Sequence, residues 1–115
     1  MGAFALAACL ALSPAPAFAH ALLQSASPPV GGTVSPPSAI TLHFSEAIEP
    51  KFSDVALSGP KGAVPVGRPS VPLDDGAAMV VKIAIRLAAG VYTVSWRVVS
   101  VDTHHTQGHF DFTVK

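Results

Sequence analysis

Val91-Tyr92-Thr93-Val94-Ser95-Trp96-Arg97-Val98 places Tyr92, Val94, Trp96 and Val98 on one side of an extended chain. Thr93, Ser95 and Arg97 fall on the other side. A period of two is the mark of a half-buried β-strand. Ala88-Ala89-Gly90 supplies a turn before it, and upstream of that Met79 to Arg86 reads as a second strong strand. Downstream, Phe110, Phe112 and Val114 alternate in a last strand. Towards the N-terminus, Ile40-Thr41-Leu42-His43-Phe44 alternates as well, and Val55–Leu57 and Ala63–Val66 flank a Gly59-Pro60-Lys61-Gly62 turn. Asp74-Asp75-Gly76 is a further turn signal, and Ser27-Pro28-Pro29, Gly31-Gly32 and Ser35-Pro36-Pro37-Ser38 interrupt the first third. No segment carries a helical stripe. About seven short strands at this spacing predict an all-β fold, an antiparallel β-sandwich or barrel with Greek-key connections.

The chain has 115 residues, enough for one domain. Seven basic and seven acidic residues give zero formal charge, which argues against nucleic acid as a partner. The 50% hydrophobic content suggests a membrane protein until its location is considered. Residues 1–19 carry no charged side chain, and the apolar run Ala3 to Leu12 ends at Ser13, Pro14 and Pro16. A membrane span needs roughly 20 apolar residues, so this run is too short. Ala17-Phe18-Ala19 then offers the small-x-small pattern of a secretory cleavage site. The reading is a signal peptide over 1–19, cleavage between Ala19 and His20, and one domain over 20–115 in the periplasm or cell exterior. No Lys or Arg precedes the apolar run, so the true start codon may lie upstream. Leu6-Ala7-Ala8-Cys9 offers a second reading of the leader, as a lipoprotein box with Cys9 lipidated. Cys9 is the one cysteine, so residues 20–115 have no disulfide and no thiolate metal site.

Cleavage at His20 would leave one residue holding both a free α-amine and an imidazole. Together they can chelate one metal ion. Asp102-Thr103-His104 adds a second pair of donors, because residues two apart on an extended chain point the same way. An amine, two imidazoles and a carboxylate form a nitrogen–oxygen set without soft sulfur. Such a set suits Cu(II), which tops the affinity order of the divalent first-row ions. His43 and His109 lie opposite the apolar residues of their strands and read as surface histidines. Trp96 and Tyr92 read as core aromatics, and Asp74-Asp75-Gly76 lacks the other positions of a calcium loop.

From His20 to Val114 the chain resembles the CopC family of copper-binding proteins. The resemblance rests on ordered pieces: His20-Ala21, Ser27-Pro28-Pro29-Val30-Gly31, Leu42-His43-Phe44-Ser45-Glu46, Gly90 to Ser100 running into Asp102-x-His104, and Gly108-x-Phe110-x-Phe112-x-Val114. It implies a cupredoxin-like, immunoglobulin-like Greek-key sandwich. It also implies one Cu(II) ion held by His20, Asp102 and His104, and copper sequestration or delivery to an inner-membrane importer of the CopD type. Family members often read Asp-Gly-His-Pro where this chain has Asp102-Thr103-His104-His105, so His105 is an alternate ligand. Glu46 ends a strand and is a candidate outer partner of a metal-bound histidine. Some CopC-like proteins add a Met-rich Cu(I) site. Beyond Met1 this chain has only Met79, in an apolar strand, so no Cu(I) site is expected. Two other classes compete with the non-enzymatic copper reading: a metal-free β-sandwich interaction module, and a small copper monooxygenase with an N-terminal His chelate.

Overall fold

The computed structural model describes residues 21–115. The expected leader, its cleavage site, Cys9 and His20 lie outside the described residues. Eight strands form two facing sheets. They are β1 (Leu23–Ser27), β2 (Thr33–Val34), β3 (Ala39–Phe44), β4 (Asp54–Gly59), β5 (Gly62–Val64), β6 (Ala78–Lys82), β7 (Gly90–Val99) and β8 (His105–Val114), with one 3-10 turn among the described residues, at Pro50–Phe52. One sheet has the order β1-β3-β6 and the other β2-β8-β7-β4-β5. The architecture is therefore a sandwich, and the barrel alternative falls away. β3 to β4, β5 to β6 and β6 to β7 each cross between sheets, as Greek-key connections do.

The predicted alternation is the one that packs. Val94, Val98, Phe112 and Val114 from the large sheet meet Ile40, Leu42, Met79 and Val81 from the small one, all at most 1% exposed. Tyr92 stacks on Phe112 with ring centroids 5.7 Å apart. Trp96 reaches Phe44 and Phe110, each with centroids 6.2 Å away.

Three expectations change. The strand expected over Met79–Arg86 stops at Lys82, with Ile83 making one isolated bridge to Val66. Beyond it the chain must leave one sheet for the other. Leu87 turns into the core and the Tyr92 hydroxyl donates to the Ala88 carbonyl at 2.7 Å, which anchors the crossing. The strand expected over Ala63–Val66 is likewise cut to β5, and residues up to Ser70 run along β6, where Ser70 pairs with Val80. Finally, the sheets are not wholly antiparallel, because β2 pairs with β8 in parallel over Thr33–Val34.

Candidate metal centre

β7 and β8 form a ten-rung antiparallel hairpin from Gly90↔Val114 to Val99↔His105. The loop that closes it is Ser100 to His104, so the hairpin carries the Asp102-Thr103-His104 segment at its tip. Thr103 sits in the left-handed region, φ 72°, which gives the loop its reversal.

Ser100 organises this loop. It is wholly buried, and its backbone N–H donates to the His104 carbonyl at 2.9 Å. Its carbonyl accepts the Thr103 N–H at 2.8 Å. Its hydroxyl accepts the His104 N–H at 3.3 Å and donates to Asp102 Oδ1. A buried hydroxyl must find partners or carry a desolvation cost, and here the partners are the two residues at issue. A second buried serine braces the base of the loop. The Ser53 hydroxyl donates to the Glu49 carbonyl at 2.8 Å and accepts the Val99 N–H at 3.0 Å. The segment 47–49 completes the frame: Val101 N–H donates to the Ala47 carbonyl, Ile48 pairs with Ser100, and Glu49 N–H donates to the Val99 carbonyl.

The frame brings Asp102 and His104 together. His104 Nδ1 lies 3.2 Å from Asp102 Oδ1, with both side chains about half exposed. The Ser100 hydroxyl is the largest cause that holds the Asp102 carboxyl below its ordinary value. Slight desolvation opposes it, and His104 adds to the lowering. The carboxylate thus stays ionised and available as a donor. A carboxylate oxygen and an imidazole nitrogen this close would offer two donors to one ion.

The chain just after His20 is fastened beside this loop. Ala21 is buried, and its carbonyl accepts the Thr106 hydroxyl at 2.8 Å. Leu22 N–H donates to Ser45 Oγ at 2.8 Å, and Ser45 N–H donates back to the Leu22 carbonyl at 2.9 Å. This pairing was not legible in advance, because it joins residues 85 positions apart through one side-chain hydroxyl.

Glu46 lies in the bend after β3, next to Ala47, whose carbonyl accepts the Val101 N–H. His105 opens β8 on the outer face of the large sheet, opposite Val99, where it shares a concavity with Phe52, Arg97 and Gln107. His109 is exposed on that same face. His43 Nδ1 lies 3.7 Å from Asp75 Oδ2. Among the described residues no group of three or more His, Cys, Asp or Glu could hold a metal ion. The described part of the site is a pair of donors.

A β-sandwich that holds a carboxylate and an imidazole side by side in one loop has donor chemistry of the kind that metal-binding modules use. The comparisons with known proteins name the family. The CopC domain matches residues 23–115. Protein YobA of Escherichia coli is 42% identical over 103 residues, covering 85% of this chain and 81% of the relative. Copper resistance protein C of Escherichia coli is 41% identical over 106 residues, covering 86% and 84%. The crystal structure of PcoC, a methionine-rich copper resistance protein from Escherichia coli, superposes with a TM-score of 0.76 at 38% identity. That match covers 84% of this chain and all of that one.

The chain belongs to the CopC family. Its members are periplasmic copper-binding resistance proteins and not enzymes. Among the described residues no helix is long and apolar enough to cross a membrane.

Proposed function

We propose that this chain binds a single Cu(II) ion at the tip of the β7–β8 hairpin, through Asp102, His104 and the amine and imidazole of His20. The observation that carries the reading is the fastening of Ala21 to Thr106, two residues beyond His104. Consecutive Cα atoms are 3.8 Å apart, so residue 20 is tethered within one residue's reach of a fixed point beside the loop. The donor pair lacks sulfur and includes an ionised carboxylate, which favours Cu(II) over Cu(I). PcoC is called methionine-rich in the name of its structure. This chain has two methionines, and Met79 is wholly buried between the sheets, so we assign it no Cu(I) site. Glu46 and His105 stay outside the ligand set in this reading. The chain would act after cleavage between Ala19 and His20, holding copper or passing it to a CopD-like importer in the inner membrane.

The test is a comparison of two exported forms. One begins at His20 and the other carries one extra residue before it. The first should bind one equivalent of Cu(II), with affinity falling as pH falls, because each amine or imidazole ligand must shed its proton. The extended form should lose tight binding. Equal affinity in the two forms would overturn the amine as a ligand.

A further inference from the structure

The zero net charge conceals a separation. β7 runs from Gly90 at one pole of the sandwich to Val99 at the other, and ten residues of strand span about 30 Å. The loop with Asp102 and His104 defines the second pole. Around it lie Glu46 and Glu49, on either side of the segment that pairs with residues 99–101. Asp74 and Asp75 precede Gly76, whose carbonyl accepts the Ile48 N–H at 2.9 Å. Asp54 opens β4 opposite Arg97, near the same end. With Asp102 this pole holds six of the chain's seven acids, against three bases, Lys51, Arg97 and Arg68, which lines one concavity with Lys51 and Asp54. Its formal charge is therefore −3.

The opposite pole is the reverse. Lys61 sits in the β4–β5 turn, Lys82 ends β6, Arg86 follows it, and Lys115 follows β8. All four are exposed. One acid, Asp111, lies in this half, and its carboxylate accepts the Thr93 hydroxyl at 2.7 Å. The formal charge there is +3. None of this is visible along the sequence, because the fold collects the acids from four separate segments.

We infer that the acidic pole is an electrostatic funnel that draws the cationic cargo to the hairpin tip. The inference rests on the copper-binding reading above and adds the route by which the ion arrives. At physiological ionic strength charges are screened over about 8 Å. The basic pole is several such lengths away, so an approaching cation meets a surface of charge −3 rather than a neutral protein. Fields of one sign over a site raise association rates by roughly 10- to 1,000-fold. Acids that never touch the ion would then set how fast it is captured, while Asp102 and His104 set how long it stays.

The experiment is stopped-flow binding of cupric chloride to the exported chain in a weakly coordinating buffer. Trp96 is the one tryptophan, and it lies three rungs, about 10 Å, from the loop. Its quenching reports binding. The triple variant Glu49→Gln, Asp54→Asn, Asp74→Asn should lower the association rate about tenfold at low ionic strength, with the difference shrinking at high salt. Lys51→Glu should raise the rate. The dissociation rate and the visible spectrum should not move in either. Lys61→Gln with Arg86→Gln, at the other pole, should leave all three unchanged. An unchanged association rate in the acidic-pole triple at low salt overturns the funnel, as does an equal change on neutralising the basic pole. A changed spectrum would place those acids in the ligand set and overturn it too. His104→Ala separates the two readings. If the dissociation rate is unchanged in it, the proposed ligand set is wrong, while the salt and charge dependence still decides the funnel.

Discussion

The two ends of the β7–β8 hairpin are held by different physics. At the Gly90 end the chain is fixed by exclusion of space. A Cβ added to Gly59 would lie 2.3 Å from the Tyr92 ring, and one added to Gly90, whose φ is +147°, would lie 2.6 Å from Pro60. At the other end Ser100 and Ser53 fix the chain by hydrogen bonds, and Val101, Asp102 and His104 stay exposed. Side chains that must meet an ion cannot also be packed in place. Their geometry therefore has to be imposed from the backbone and from buried hydroxyls beneath them. One end contributes stability with little chemistry, and the other carries the chemistry with little packing.

The sharpest way to separate the ends is His104→Ala. It removes the imidazole of a proposed ligand and keeps the backbone bonds that hold the loop. Copper affinity should fall at least 100-fold, roughly 3 kcal/mol, while the apo-protein melts within about 2 °C of the parent. A competition titration and a thermal melt check the two halves. A large drop in apo stability would show that the exposed imidazole carries packing after all.

Gly59→Ala is the mirror experiment at the opposite end. The Tyr92 ring cannot simply swing aside. It stacks on Phe112, and its hydroxyl holds the Ala88 carbonyl. Overpacking of this kind costs about 1–3 kcal/mol, or about 5–15 °C in Tm for a domain of this size. Copper affinity at a temperature where the variant is folded should match the parent. A variant that melts normally would mean that the ring relaxes, and an altered affinity would mean that the two ends are coupled through the hairpin.

The same contrast explains what the sequence could reveal. Strand β7 and the second half of β8 were legible because burial on one face imposes a period of two on residue type, as Tyr92, Val94, Phe110 and Phe112 show. Strand β1 was not. Its burial pattern does not alternate, and its place is set by pairing with β3 and by Ser45. The early end of β6 was equally hidden, since Ile85 is as apolar as a strand residue but lies exposed in the crossing between sheets. Asp102 and His104 were legible as a pair, though not for the reason the extended spacing suggested: the chain turns at Thr103, and Ser100 draws the two together. Ser100 was not, because a serine before a loop carries no local sign that its hydroxyl is buried under the donors. A small hydroxyl residue two positions before a D-x-H segment is the signal that could have found it.

Ser100→Ala should produce the smallest effect, and it tests the polar end directly. The imidazole and carboxylate remain, but the His104 N–H and Asp102 Oδ1 lose the hydroxyl that binds both. Copper affinity should fall about three- to tenfold, in keeping with the loss of a supporting partner around a metal ligand. Stability should also fall, by an amount that depends on pH. Asp102 has a folded-state pKa lowered chiefly by Ser100. A lowered carboxyl contributes stability above its unfolded value, about 3.9, and loses it as pH falls through the folded one. Without the hydroxyl the folded value rises towards the unfolded value and that contribution shrinks. The melting difference between parent and variant should thus be constant above about pH 5 and narrow below about pH 4. No melting difference at any pH between 2 and 6 would mean that Ser100 supports the loop through its backbone contacts alone. The polar end would then owe its order to the hairpin register rather than to the hydroxyl beneath the donors.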